Sequence, residues 1–200
     1  MEKQIFEGKS LEDAIKNACI TLNASENEII TVLKEEKKGL FSKKVEIEAI
    51  TIQDLNKAIK DYIMFIIKGM GLNANIEIRN KEEVLVFNII SSDPILIGRN
   101  GRTIDAIQTL ATQMVSSNLN FYYRFLIDVN DYKDRKRIRL EKLAKYTARD
   151  VARMKIEIKL DPMNSYERRI IHNILTNSKD VYTESVGEEP NRYIVVKAKE

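Results

Sequence analysis

Cysteine is all but absent. Cys19 is the only one in 200 residues, so no disulfide can form within the chain, and a small buried hydrophobe on a helix is its expected role. Histidine is equally scarce. His172 stands alone, and one histidine with one distant cysteine is poor material for zinc, which needs several ligands. Long apolar runs are missing too. The longest, Ile63-Met64-Phe65-Ile66-Ile67, falls far short of the roughly 20 residues that span a bilayer. The amino terminus lacks the basic-then-apolar pattern of a signal peptide, so a cytoplasmic location is the expectation. Neither a Gly-x-x-x-x-Gly-Lys-Ser/Thr loop nor a three-glycine fingerprint after a first strand occurs, which argues against the common nucleotide-binding folds. No motif sets a serine or cysteine nucleophile beside His172. The chain is therefore expected to be no enzyme and to need no metal or cofactor.

What is present is the composition of a globular protein, 44% hydrophobic and 32% charged. Its length allows one to three small domains. The net charge of +3 is modest, but it is unevenly placed. Residues 1–50 carry eight Lys/Arg against ten Asp/Glu, residues 51–130 eight against eight, and residues 131–200 seventeen against twelve. A polyanion would be drawn first to the last third.

Periodicity divides the chain into three segments, expected at 1–51, 52–130 and 131–200. The first reads strand, helix, strand, strand. Ser10-x-x-Asp13 opens a helix whose apolar residues Leu11, Ala14, Ile15, Ala18, Cys19 and Leu22 fall at helical spacing. A basic turn, Lys37-Lys38-Gly39-Leu40-Phe41, separates its last two strands. The second segment reads helix, strand, strand, short helix, helix, strand. Its main helices are predicted over about 54–68 and 103–117, the latter with a buried stripe of Ile104, Ile107, Leu110, Ala111, Met114 and Val115. Its closing strand is predicted over about 121–129. The third segment opens with a long helix over about 131–154, followed by a strand over about 155–160. Asn164-x-x-Glu167 then caps a second helix, and two strands close the chain.

Two stretches carry chemistry. In Ile97-Gly98-Arg99-Asn100-Gly101-Arg102-Thr103-Ile104, two glycines bracket two polar residues between a strand-like run and a helix. Such a loop lets backbone approach a sugar-phosphate chain, because a Cβ at either end would block the approach or forbid the dihedrals. Free N–H groups at the helix start favour an anion. Arg99 and Arg102 add charge, Asn100 adds hydrogen bonds, and Ile97 and Ile104 flank the loop as an apolar floor for bases. The competing interpretation is a plain strand-to-helix turn. In the third segment Arg168 and His172 lie one helical turn apart, with Ser165, Arg169 and Thr176 sharing or bordering their face and Ile170, Ile171, Ile174 and Leu175 opposite. Arg168 can fork onto a phosphate and His172 can donate to one or stack on a base. A surface histidine, or one bonded internally, is the alternative. The helix before it has ten Lys/Arg against four Asp/Glu over residues 131–155. That is either a solvated face or an extension of the same positive surface.

Taken together these residues resemble the bacterial Jag/KhpB family, over nearly the whole chain. Lys37 to Phe41 resembles the Jag-domain turn. Ile97 to Ala106 resembles the Gly-x-x-Gly loop of a K-homology (KH) domain in its type II order. Leu160 to His172 resembles the Arg-x-x-x-His domain, and Gly187 to Arg192 its closing turn. The resemblance implies an α+β fold of three small domains: a β-α-β-β Jag domain, a KH domain (α-β-β-α-α-β), and a C-terminal α/β domain. It implies single-stranded RNA or DNA binding by Ile97, Gly98, Arg99, Asn100, Gly101, Arg102 and Ile104 in the KH domain, and by Arg168, Arg169, His172 and Arg192 in the last. It also implies post-transcriptional regulation linked to cell envelope growth, elongation and division, a small partner KH protein, and a link to the membrane insertase YidC. An adaptor working through protein contacts is the alternative, and a homodimer through the Jag or KH segment is compatible with it. The long charged linker common after the Jag domain in relatives is almost absent here.

Overall fold

The computed structural model describes residues 3–38, 43–81, 83–119, 121 and 123–199. Of the predicted Jag-type turn, Gly39, Leu40 and Phe41 lie outside the described residues. The chain divides into two compact units, Met1–Asn130 and Asp131–Glu200.

The first unit begins with β1 (Gln4–Gly8), α1 (Leu11–Leu22), β2 (Ile29–Lys38) and β3 (Lys43–Thr51). The three strands form an antiparallel sheet in the order β1-β3-β2. The Ser10 side chain accepts the Asp13 N–H at 3.2 Å and so caps α1, and Asn23 ends the helix in the left-handed region at φ 47°. Ala14 and Ala18 lie buried against Phe6, Val45, Ile47 and Ala49 of the sheet. Their small side chains let the helix sit close. Cys19 is packed at the edge of this core, partly buried.

No linker follows. Thr51 is both the last residue of β3 and the N-cap of α2 (Ile52–Gly69), where its Oγ1 accepts the Asp54 N–H at 3.0 Å. Leu55, Ile59, Ile63 and Ile67, four residues apart, form the buried stripe of α2. A mixed sheet follows in the order β4-β5-β6, made of β4 (Asn75–Lys81), β5 (Val84–Ile90) and β6 (Phe125–Val129). β4 runs antiparallel to β5 and β6 parallel to it. A parallel neighbour requires a crossover, which α3 (Arg102–Leu119) supplies. Phe87 and Phe125 meet edge-on in this core, 5.6 Å between centroids. Gln108 on α3 finishes the open edge of β6. Its Oε1 accepts the Ile127 N–H at 2.7 Å, and its Nε2 donates to the Phe125 carbonyl at 3.2 Å.

The second unit is α4 (Tyr132–Met154), β7 (Ile158–Lys159), α5 (Ser165–Leu175), β8 (Val181–Val186) and β9 (Tyr193–Ala198), with an antiparallel sheet in the order β7-β9-β8. Leu140, Ala144 and Val151 of α4 join Ile171, Leu175, Val181, Ile194 and Val196 in its core.

Some elements differ from the sequence expectation. The strand predicted over 155–160 shrinks to two residues, because Lys155 takes a left-handed conformation (φ 58°) to end α4 and Ile156 is exposed. The strand predicted from 121 starts at Phe125. The short helix near Pro94 is a single 3-10 turn, Pro94–Leu96. Leu110 is 49% exposed rather than part of the buried stripe, which runs Ile104, Ile107, Ala111, Val115 and Leu119.

Candidate nucleic-acid interface

The glycine loop is held by its own backbone. The Asp93 side chain accepts the Ile95 N–H at 2.8 Å and starts the 3-10 turn, and Leu96 anchors that turn in the core. The amides of Ile97 and Gly98 both donate to the Pro94 carbonyl, at 3.1 and 3.0 Å. Gly98 then adopts φ 71°, ψ 177°, a region open essentially to glycine alone. A Cβ there would also lie 2.2 Å from Thr103 Oγ1 and 2.9 Å from the Thr103 amide nitrogen. The first glycine is therefore demanded by the chain itself, before any ligand arrives. Asn100 (φ 57°) and Gly101 (φ 88°) complete the turn. Gly101 donates to the Gly98 carbonyl at 3.3 Å, Thr103 to the Ile97 carbonyl at 3.3 Å, and Arg102 to the Arg99 carbonyl. The amides of Arg102 and Thr103, expected to stand free for an anion, are thus spent on closing the loop.

What the loop offers outward is side chains. Arg99, Asn100 and Arg102 are exposed and Ile97 is half-buried. Ile104 is 0% exposed. It cannot touch a base, and the expectation that it forms part of the floor is corrected: it is the first core residue of α3. Ile95, absent from the expected site, is 57% exposed on the turn that leads into the loop. Its signal was its place opposite Leu96, since one residue of a tight turn faces inward and its neighbour outward.

In the second unit, Asn164 and Glu167 form a reciprocal capping box at the start of α5. The other carboxylate oxygen of Glu167 pairs with Lys136 of α4 at 3.1 Å. Arg168 is only 7% exposed. Its guanidinium donates to the Met163 carbonyl at 2.7 Å and pairs with Glu189 at 2.9 Å. Arg168 therefore ties the turn before α5 to the closing turn between β8 and β9. The expected phosphate fork is corrected on this geometry, because the planar donors already have partners inside the fold. The sequence does carry a sign of this burial: Ile171 and Leu175, three and seven residues on, place Arg168 inside the buried stripe.

His172 is half-buried, and its Nδ1 hydrogen-bonds Thr183 Oγ1 on β8 at 2.6 Å. Burial, and then the Arg168 charge beside it, hold its pKa below the ordinary 6.5. The ring is thus neutral near pH 7. Arg192 Nε donates to Ser185 Oγ at 3.1 Å, one step along β8 from Thr183 on the same face. Arg169 is exposed. So α5 and β8 bring His172 and Arg192 to one hydroxyl-lined row, while Arg168 holds the frame and Arg169 faces solvent. Among the described residues no group of three His, Cys, Asp or Glu is placed to hold a metal ion. Among the same residues no helix is long and apolar enough to cross a membrane.

Residues 6–50 match the family Jag N-terminus, and residues 138–198 match the R-three-H (Arg-x-x-x-His) domain. Fold and sites together thus define a multi-domain α+β protein that joins a Jag N-terminus to an Arg-x-x-x-His domain. The chain belongs to the Jag/KhpB family. It is 32% identical over 206 residues to RNA-binding protein KhpB of Clostridium symbiosum, covering 100% of this chain and 93% of that protein. RNA-binding protein KhpB of Bacillus subtilis (strain 168) is 27% identical over 201 residues, 96% of each chain. The protein of the same name from Lactiplantibacillus plantarum is 36% identical over 142 residues, 70% of this chain and 44% of that protein.

Proposed function

We propose that this protein binds single-stranded RNA without chemical turnover. The carrying observation is the tip of the glycine loop, where Arg99 and Asn100 stand exposed between two glycines of positive φ on a turn closed by its own hydrogen bonds. In this reading residues 52–130 are a KH domain. Its loop grips the strand's backbone through Arg99, Asn100 and Arg102, while Ile97 and Ile95 lie under the bases. The last domain adds a second contact through His172, Arg169 and Arg192, with Arg168 positioning the turn that carries Arg192. The relatives' shared name, RNA-binding protein KhpB, supports this reading. The domains are then 1–51, 52–130 and 131–200, and the protein acts in the cytoplasm as a post-transcriptional regulator linked to envelope growth and division.

The test is fluorescence anisotropy of a labelled, unstructured RNA. Arg99→Asp with Asn100→Asp should weaken binding at least about ten-fold, since each carboxylate replaces an attraction to phosphate by a repulsion. Unchanged affinity would remove the loop from the site. A second reading, an adaptor that docks on a protein partner such as a small KH protein or the insertase, is favoured by the exposed apolar side chains of the N-terminal domain. Ile20 is 79% exposed, and Ile5 and Leu33 are more than half so. The same double substitution would leave such a contact intact.

A further inference from the structure

The α5–β8 row uses none of the charge on α4. That helix has a buried face, Leu140, Ala144, Thr147 and Val151. Opposite it, steps of three or four residues join Arg135, Arg139, Lys142, Tyr146, Arg149 and Arg153 into one straight stripe. All six are exposed and none is acidic. From Arg135 to Arg153 the stripe extends about 27 Å at the helical rise. Among the described residues Arg139, Lys142 and Arg149 make no ion pair, and Arg153 makes one, to Asp150 at 3.2 Å, with both side chains exposed. Such a pair is weak and yields readily to a better anion. Tyr146, 62% exposed, interrupts the cations at the middle, and the Arg149 guanidinium lies 5.8 Å from its ring centroid. Toward the end of the helix Arg149 and Arg153 border a groove of about 510 Å³ floored by Ala148 and Ala152, with Ser178 and Asp180 on its far side.

We propose that the exposed stripe of α4 is a separate, sequence-independent track for the phosphate backbone of single-stranded RNA, with Tyr146 as a stacking platform for one base. The proposal rests on the RNA-binding reading and adds to it a surface that neither the glycine loop nor the α5–β8 row contains. A row of cations with one aromatic among them is how proteins hold single strands without reading them. A membrane surface fits less well. A helix that lies on lipid must insert its apolar face, and here that face is already in the core of its own unit.

The test uses the full chain and a labelled single-stranded oligouridine, with anisotropy measured across salt concentrations. Replacing Arg139, Lys142, Arg149 and Arg153 by Gln keeps good helix formers and removes four charges. The slope of log K against log salt should flatten by about 2–3, from roughly 0.7 per phosphate contact. Tyr146→Ala should weaken binding about five-fold or more, and Tyr146→Phe should bind as wild type. If circular dichroism shows that the quadruple variant loses helix, Arg139→Gln with Lys142→Gln should give half the change in slope. Wild type that binds, with an unchanged slope in the variants, overturns the track and leaves the RNA reading standing. Wild type that binds no strand at low salt overturns both. An unchanged RNA slope together with lost binding to phosphatidylglycerol vesicles overturns the track and assigns the stripe to lipid.

Discussion

Gly98 and His172 show how much a single position carries here. At φ 71°, ψ 177°, with Thr103 against the place a Cβ would occupy, Gly98→Ala should cost about 2 kcal/mol or more. Urea unfolding would measure it, and a loss below about 0.5 kcal/mol would mean the loop adapts. His172, as the only histidine, gives a single imidazole signal in an NMR titration. Its pKa should lie below 6.5 in the free protein and rise when RNA is added, because a phosphate nearby favours the charged ring. The sign for stability follows. The unfolded chain takes up this proton near pH 6.5 and the folded chain only at lower pH. The stabilisation is therefore present above pH 6.5 and is lost as pH falls through the folded value. Arg168 marks the limit of residue-level reading from sequence. Its type and spacing suggest a phosphate ligand, yet its partners, the Met163 carbonyl and Glu189, belong to two turns whose meeting no local pattern encodes.

Elements with a complete period were legible in the sequence, and those set by tertiary contacts were not. The stripe of α2 and the capping box at Asn164 state themselves locally. The start of β6 does not: Phe121 looks as strand-like as Phe125, but parallel pairing begins only where Phe125 comes beside Leu85. The end of α4 is legible, near 154 from its period and at Met154 in the fold, but the left-handed Lys155 that delays β7 carries no compositional mark. Gln108 is a further contribution hidden from sequence, a helix side chain that completes a strand. Gln108→Leu leaves the Ile127 amide and the Phe125 carbonyl without their partner and should destabilise the first unit by about 1–3 kcal/mol. Hydrogen exchange should quicken at the Ile127 amide before any other in the strand. Equal protection in the variant would show that water replaces the amide at no cost.

At the scale of the whole molecule, the division between Asn130 and Asp131 sets the core of the second unit apart from those of the first. The segment Asp131–Glu200 should fold when produced alone, with a cooperative thermal transition and dispersed amide resonances. A collapsed, non-cooperative fragment would show that its core depends on the first unit. Charge follows the same division, with the surplus of Lys/Arg in residues 131–200, and that much could be read from the sequence by counting. The absence of any residue between β3 and α2 could be read only as two adjoining patterns. Its outcome is mechanical. Because Thr51 ends a pleat and begins a turn, the joint works like a keyed shaft: one residue inserted there would swing the buried Leu55–Ile67 stripe by about 100° around its axis and so disturb the packing of α2 beside α3. Drift in length at this joint is therefore admissible only in whole helical turns or not at all, and the Jag sheet and the helix beside it must change together.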